Sequence, residues 1–115
     1  MNHIPKPRVF IVNSSFHDFS EARKYGELIF LSEGKVDGLR INKYGRDFVD
    51  KLKDITTDDY IVCTSLQILN FLLGFIIGWK KLNRVNVLYY QQGEYVHIKI
   101  SADDFLKSIP ETETL

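Results

Sequence analysis

From Leu66 to Trp79 the chain runs fourteen residues without a charge. A membrane span needs about twenty such residues, and Gln67 and Asn70 interrupt this run, so it reads as a core helix of a layered domain. Lys80 and Lys81 follow at the end where the helix dipole favours cations, which carries the expected helix to Leu82. Ten large apolar side chains between Leu66 and Trp79 ring this helix, more than one sheet face can cover. A homo-oligomer, a dimer with two-fold symmetry, is therefore expected, and Gly74 and Gly78 share a face that permits close backbone approach to the sheet or to a second copy.

The rest of the chain supplies strands to pack against it. Arg8 to Asn13 is a β-branched and aromatic run that does not alternate, as expected of a strand buried on both faces. A short helix from Asp18 to Tyr25, with His17, Asp18 and Ser20 as competing caps, should stop at Gly26, and Glu27 to Ser32 reads as a second strand. After a loop with Gly34 and Gly38, Asn42 can cap a helix reaching Asp54, with Tyr44, Phe48, Val49 and Leu52 on its apolar face. Tyr60 to Thr64 is a third strand, with Thr64 or Ser65 capping the long helix. Arg84 to Tyr90 and Glu94 to Ile100 flank Gln92-Gly93, a two-residue hairpin turn, and a last turn lies near Asp103 to Lys107.

The order β-α-β-α-β-α-β-β implies an α/β fold, a single-domain mixed sheet, mainly parallel, ending in an antiparallel hairpin. At 115 residues and 44% hydrophobic composition the chain suits one core. Residues 1–109 are expected to form that domain and 110–115 a flexible acidic tail. Fifteen basic and fifteen acidic groups cancel, and up to Ile100 the chain holds fourteen basic and eleven acidic ones. That excess is too mild for binding duplex DNA by counterion release. The lone Cys63, with no apolar leader in the first seven residues, points to a reducing, cytoplasmic setting. Three scattered histidines and one cysteine assemble no metal cluster, and no cofactor motif appears, so neither is expected.

In parallel sheets ligands sit at the strand C-terminal ends. If the first and third strands are neighbours, the loops Asn13-Ser14-Ser15-Phe16-His17 and Cys63-Thr64-Ser65-Leu66-Gln67 meet there. Their amide and hydroxyl groups lie beside helix starts whose free N–H groups attract anions, although Ser and Asn are also the ordinary residues of turns and caps. His17 can act as general acid or base, or simply cap a helix. His3, near the chain start, and His97, in a hairpin strand, are poorer candidates. Arg40, Arg46 and Arg84, with nearby lysines, can line an anionic ligand or form a solvated surface interleaved with Asp47, Asp50 and Asp54. Tyr89, Tyr90 and Tyr95 can stack a base or serve as plain strand residues.

The opening Arg8-Val9-Phe10-Ile11-Val12-Asn13-Ser14-Ser15, the long helix after a polar turn, and Asn83-Arg84-Val85-Asn86-Val87 before a hairpin resemble the layout of the viral ring-nuclease anti-CRISPR family. Its members are small dimeric α/β proteins that bind cyclic oligoadenylate and cut it. The resemblance implies that Asn13, Ser14 and Ser15 contact ligand and that Arg84 is the basic residue after the long helix. Where that family carries its general-acid histidine, however, this chain has Cys63-Thr64-Ser65-Leu66. His17-Asp18-Phe19-Ser20 and Asp58-Asp59-Tyr60-Ile61 also resemble stretches of small bacteriophage and mobile-element proteins.

The function expected from this resemblance is a phage-type counter-defence protein that sequesters a nucleotide second messenger without cleaving it. The alternatives are a metal-independent cyclic-nucleotide phosphodiesterase using His17, and a non-enzymatic inhibitor of a host defence protein.

Overall fold

A computed structural model describes residues 7–14 and 17–107. Ser15, Phe16, His3 and the expected tail 110–115 lie outside the described residues. The strands are β1 (Arg8–Ile11), β2 (Glu27–Phe30), β3 (Tyr60–Val62), β4 (Arg84–Gln91) and β5 (Glu94–Ser101); the helices are α1 (Ile41–Lys51), α2 (Gln67–Trp79) and α3 (Ala102–Lys107). They build one five-stranded sheet in the order β2-β1-β3-β4-β5, parallel except for the β4–β5 hairpin. The expected α/β architecture and its terminal hairpin are present.

The two crossovers from β2 and β3 place α1 and α2 together on one face. There Phe10, Val12 and Ile61 of the strand segments meet Phe48 and Leu52 of α1 and Leu69, Leu73, Ile76 and Ile77 of α2. The connection from β1 to β2 runs the other way along the sheet, so a right-handed crossover delivers it to the opposite face. It is a 3-10 helix over Ser20–Tyr25, covering a smaller core of Val9, Ile11, Phe19, Ala22, Val62, Leu88 and Tyr95. Because β1 receives side chains on both faces, Val9, Phe10 and Ile11 are all fully buried, which is why this strand does not alternate.

Several boundaries differ from the sequence reading, each for a local reason. Asp18 accepts a hydrogen bond from the Ser20 N–H, but the segment it opens is 3-10 throughout, with Phe19 at its N-cap. Asn42 does not cap α1. Asp37 caps a preceding 3-10 turn over Gly38–Arg40 through the Leu39 N–H, and that turn feeds into α1 at Ile41. Helix α1 stops at Lys51 instead of Asp54, because Leu52 begins a turn closed by the Ile55 N–H to Leu52 carbonyl bond.

Neither Thr64 nor Ser65 caps α2; Leu66 holds that position, and the Thr64 hydroxyl accepts from the Leu66 N–H. The far end closes before Leu82 in a Schellman arrangement. Lys81 adopts φ +60°, its N–H bonds the Gly78 carbonyl, and the Leu82 N–H bonds the Ile77 carbonyl. In the hairpin, Gln92 and Gly93 both take positive φ, +51° and +84°, the geometry of a type I′ turn whose twist matches the strands.

No helix among the described residues is long and apolar enough to cross a membrane.

Candidate functional site

The sheet reverses its winding between β1 and β3, whose registered partners run from Val9 and Tyr60 to Ile11 and Val62. At such a reversal the loops leaving the two strands go to opposite faces and leave a crevice between them. A cleft of about 370 Å³ opens here, lined by His17, Asp18 and Phe19 from one loop and by Val62, Cys63, Thr64 and Ser65 from the other. Tyr90 and Tyr95 of the hairpin complete it, their rings edge to face at 5.2 Å.

Each wall is fixed by ordinary chemistry. Asn70, in the first turn of α2, receives the Thr64 N–H on its side-chain oxygen at 3.2 Å and donates its amide to the Thr64 carbonyl at 2.7 Å. The polar interruption of the apolar helix is thus the clamp that shapes the 63–66 turn. A half-buried amide in an apolar helix needs such partners, and that requirement is the one signal by which the sequence could have shown the role of Asn70. On the other side, Phe19 packs edge to face against Phe30 at 5.9 Å, and His17 lies at a similar angle to Phe19 at 6.0 Å.

The electrostatics are mild. Asp18 is held below the usual carboxylate range, first by the Ser20 backbone N–H, then by the Ser20 hydroxyl and Arg23, so it stays ionised. Partial desolvation by the cleft walls pushes the thiol of Cys63, an exposed residue, up. Burial also raises Tyr95, reinforced by Tyr90 and the Asp18 charge. The thiol therefore remains protonated at neutral pH and is no nucleophile there. No lysine or arginine lines this cleft among the described residues.

The residues singled out from the sequence are distributed unevenly. His17, Thr64 and Ser65 come together in the cleft. Asn13 is fully buried, with its amide on the Ser32 hydroxyl and the Gly34 carbonyl. The Ser14 N–H bonds the Ser32 carbonyl, while its hydroxyl accepts from the Gly34 N–H at 3.4 Å. These two tie the loop after β1 to the loop after β2. Gln67 opens α2 as an exposed residue, and Arg40 is exposed just before α1. Arg46 lines a groove between α1 and α2. Arg84 begins β4, at the end of the strands opposite the cleft, and donates to the Thr57 hydroxyl at 3.3 Å. The three arginines are therefore not brought to the cleft, because α1, the turn before it and the start of β4 stand away from the β1–β3 reversal.

Phe19, Val62 and Asp18 were not read as cleft residues from the sequence. They acquire that place only from the pairing of β1 with β3 and the curl of the hairpin toward the 3-10 helix.

No group of His, Cys, Asp and Glu among the described residues is arranged to hold a metal ion. Residues 7–103 match a protein family described as Phage Pam3 gp32-like protein. Neither the curated proteins nor the solved structures provide a match.

Proposed function

The chain belongs to the Phage Pam3 gp32-like protein family, and from that premise we propose that it is a phage binding protein whose cleft at the β1–β3 reversal takes the base and ribose of a nucleotide and holds it intact. The supporting observation is the composition of the cleft wall: aromatic rings from Phe19, Tyr90 and Tyr95, with the Thr64 and Ser65 hydroxyls and the Asp18 carboxylate at its rim. Aromatic faces stack any base, while hydroxyl and carboxylate groups suit ribose hydroxyls and ring N–H groups. The volume lies at the lower end of the roughly 300–1,000 Å³ typical of small-molecule sites, fitting a nucleoside better than a cyclic oligonucleotide. With no cationic wall, the phosphates of such a ligand lie toward solvent.

Holding rather than cutting follows from what surrounds the candidate acid. A general acid or base works when a third group orients it, and the His17 ring is met by the edge of Phe19. The Cys63 thiol, kept protonated, supplies no nucleophile. In a phage protein, retention without turnover removes a host signalling nucleotide from circulation, and that counter-defence role is the biological form of this proposal.

Calorimetric titration with adenosine, AMP and a cyclic di-adenylate, followed by mass spectrometry of the recovered ligand, tests it. Saturable binding of AMP with intact recovery is expected. Absence of binding by all three probes, or recovery of a cleaved product, would overturn the reading.

A further inference from the structure

The face of α2 turned away from the core carries Ile68, Phe71, Phe75 and Trp79, with relative exposures of 48%, 73%, 67% and 66%. Four such side chains along one stripe of one helix are far from the scattered apolar exposure of ordinary surfaces. Beside them lie Gly74 and Gly78, where an added Cβ would meet nothing within 4 Å. These glycines form one wall of an apolar cleft of about 340 Å³ whose other walls are Val85, Val87, Ile100 and Phe105. By strand register, Tyr89, Val96 and Ile98 continue the same face of the hairpin, and all three are at least two-fifths exposed.

We infer that this continuous surface is a two-fold interface with a second copy of the chain, in which Phe71 and Phe75 of each copy enter the Gly74/Gly78 cleft of the other.

Three observations favour a second copy over a different partner. The patch carries both the projecting side chains and, next to them, the hollow that would receive them, which is the self-complementarity an isologous contact requires. It also carries little charge: α2 has no ionisable residue from Gln67 to Trp79, neither have Val85, Val87, Val96, Ile98 and Ile100, and Arg84 is the charged residue that lines the cleft. Two copies meeting about a dyad through such a face set few like charges against each other. Finally, whole aromatic side chains present about 150–250 Å² each, so the exposed parts of this patch amount to roughly 800 Å². That is what one partner contributes to a standard stable interface.

The interface stands independently of the nucleotide proposal.

Sedimentation equilibrium of the full chain, compared with Gly74→Gln and Phe75→Glu, decides the matter. The native protein is expected to weigh twice its 13.4 kDa at micromolar concentration, and each variant to raise the dimer dissociation constant at least a hundredfold while keeping the native circular dichroism. Gly74→Gln is the decisive variant, since its Cβ enters open space in the monomer and so leaves the fold intact even if Phe75→Glu does not. A monomer across the concentration range, including one that captures a different protein, would overturn the inference. So would a dimer that Gly74→Gln leaves undisturbed.

Discussion

Asn86 and His97 hold each other across the β4–β5 pair, with the His97 Nε2 atom 2.8 Å from the Asn86 side-chain oxygen. The direction of that bond is fixed from the other side. Asn86 is buried, and its amide nitrogen donates to the Thr57 carbonyl at 3.0 Å and to the Asp59 carbonyl at 3.1 Å. Its oxygen is therefore left to accept, so Nε2 carries the hydrogen. Tyr60 adds its ring at 5.2 Å from the imidazole. The turn before β3, the start of β4 and the middle of β5 are joined through this one amide.

Asn86→Leu should cost about 2–3 kcal/mol, because it strands two carbonyls and an imidazole N–H that the native amide satisfies. Urea denaturation should show a lower midpoint at unchanged slope. Nitrogen NMR of the neutral His97 ring should show the proton on Nε2; a ring protonated on Nδ1 would refute the assigned bond.

Two backbone positions should respond with opposite sign. A Cβ at Gly26 would stand 2.2 Å from the Pro7 carbonyl oxygen, which also accepts the Glu27 N–H that registers β2 on β1. Gly26→Ala is expected to destabilise the protein by about 3 kcal/mol or more, since backbone has to move. Lys81→Gly relieves a non-glycine residue at φ +60° in the Schellman turn and should add roughly 0.5–1 kcal/mol. Thermal unfolding of both variants beside the native chain checks the two signs.

Stability should fall on the alkaline side. Cys63 and Tyr95 both have folded pKa values above their ordinary 9.0 and 10.0. The unfolded chain releases those protons first, so it binds fewer than the native state and the pH slope of unfolding free energy is negative. The loss begins as pH approaches 9.0 and is complete only above the folded values. Denaturation across this range should show the decline, and Cys63→Ser should remove the part that begins earliest. A flat profile in the native protein would contradict the raised pKa values of these two groups.

Binding at the proposed cleft should separate its wall from the distant arginine. Tyr90→Ala removes a stacking face and should weaken AMP by about ten- to a hundredfold. Arg84→Glu, at the opposite end of the strands, should leave that affinity within about twofold, because a surface charge at that distance is largely screened. Equal losses from both variants would place the ligand elsewhere.

Much of the fold was legible along the chain. The β-branched and aromatic run at Val9 to Val12 declared a strand buried on both faces, and Gln92-Gly93 declared its hairpin. Caps were less legible: Asn42, Thr64 and Ser65 are competent residues, yet Arg40 and Leu66 hold the positions, because competing local hydrogen bonds shift a helix start by a residue or two at no change in pattern. The site was half legible. Thr64, Ser65 and His17 were in view, while Asn70 looked like a blemish in an apolar helix and proved to shape the turn.

What the sequence by itself determined was the list of elements and their order, since periodicity, glycine turns and charge spacing act within a few residues of one another. Which loops would face a common space was decided by tertiary structure. Strand order depends on burial shared between segments fifty residues apart, and it placed the segment after β1 beside the one after β3, while the parallel run of β3 and β4 leaves Arg84 at the other end of the strands.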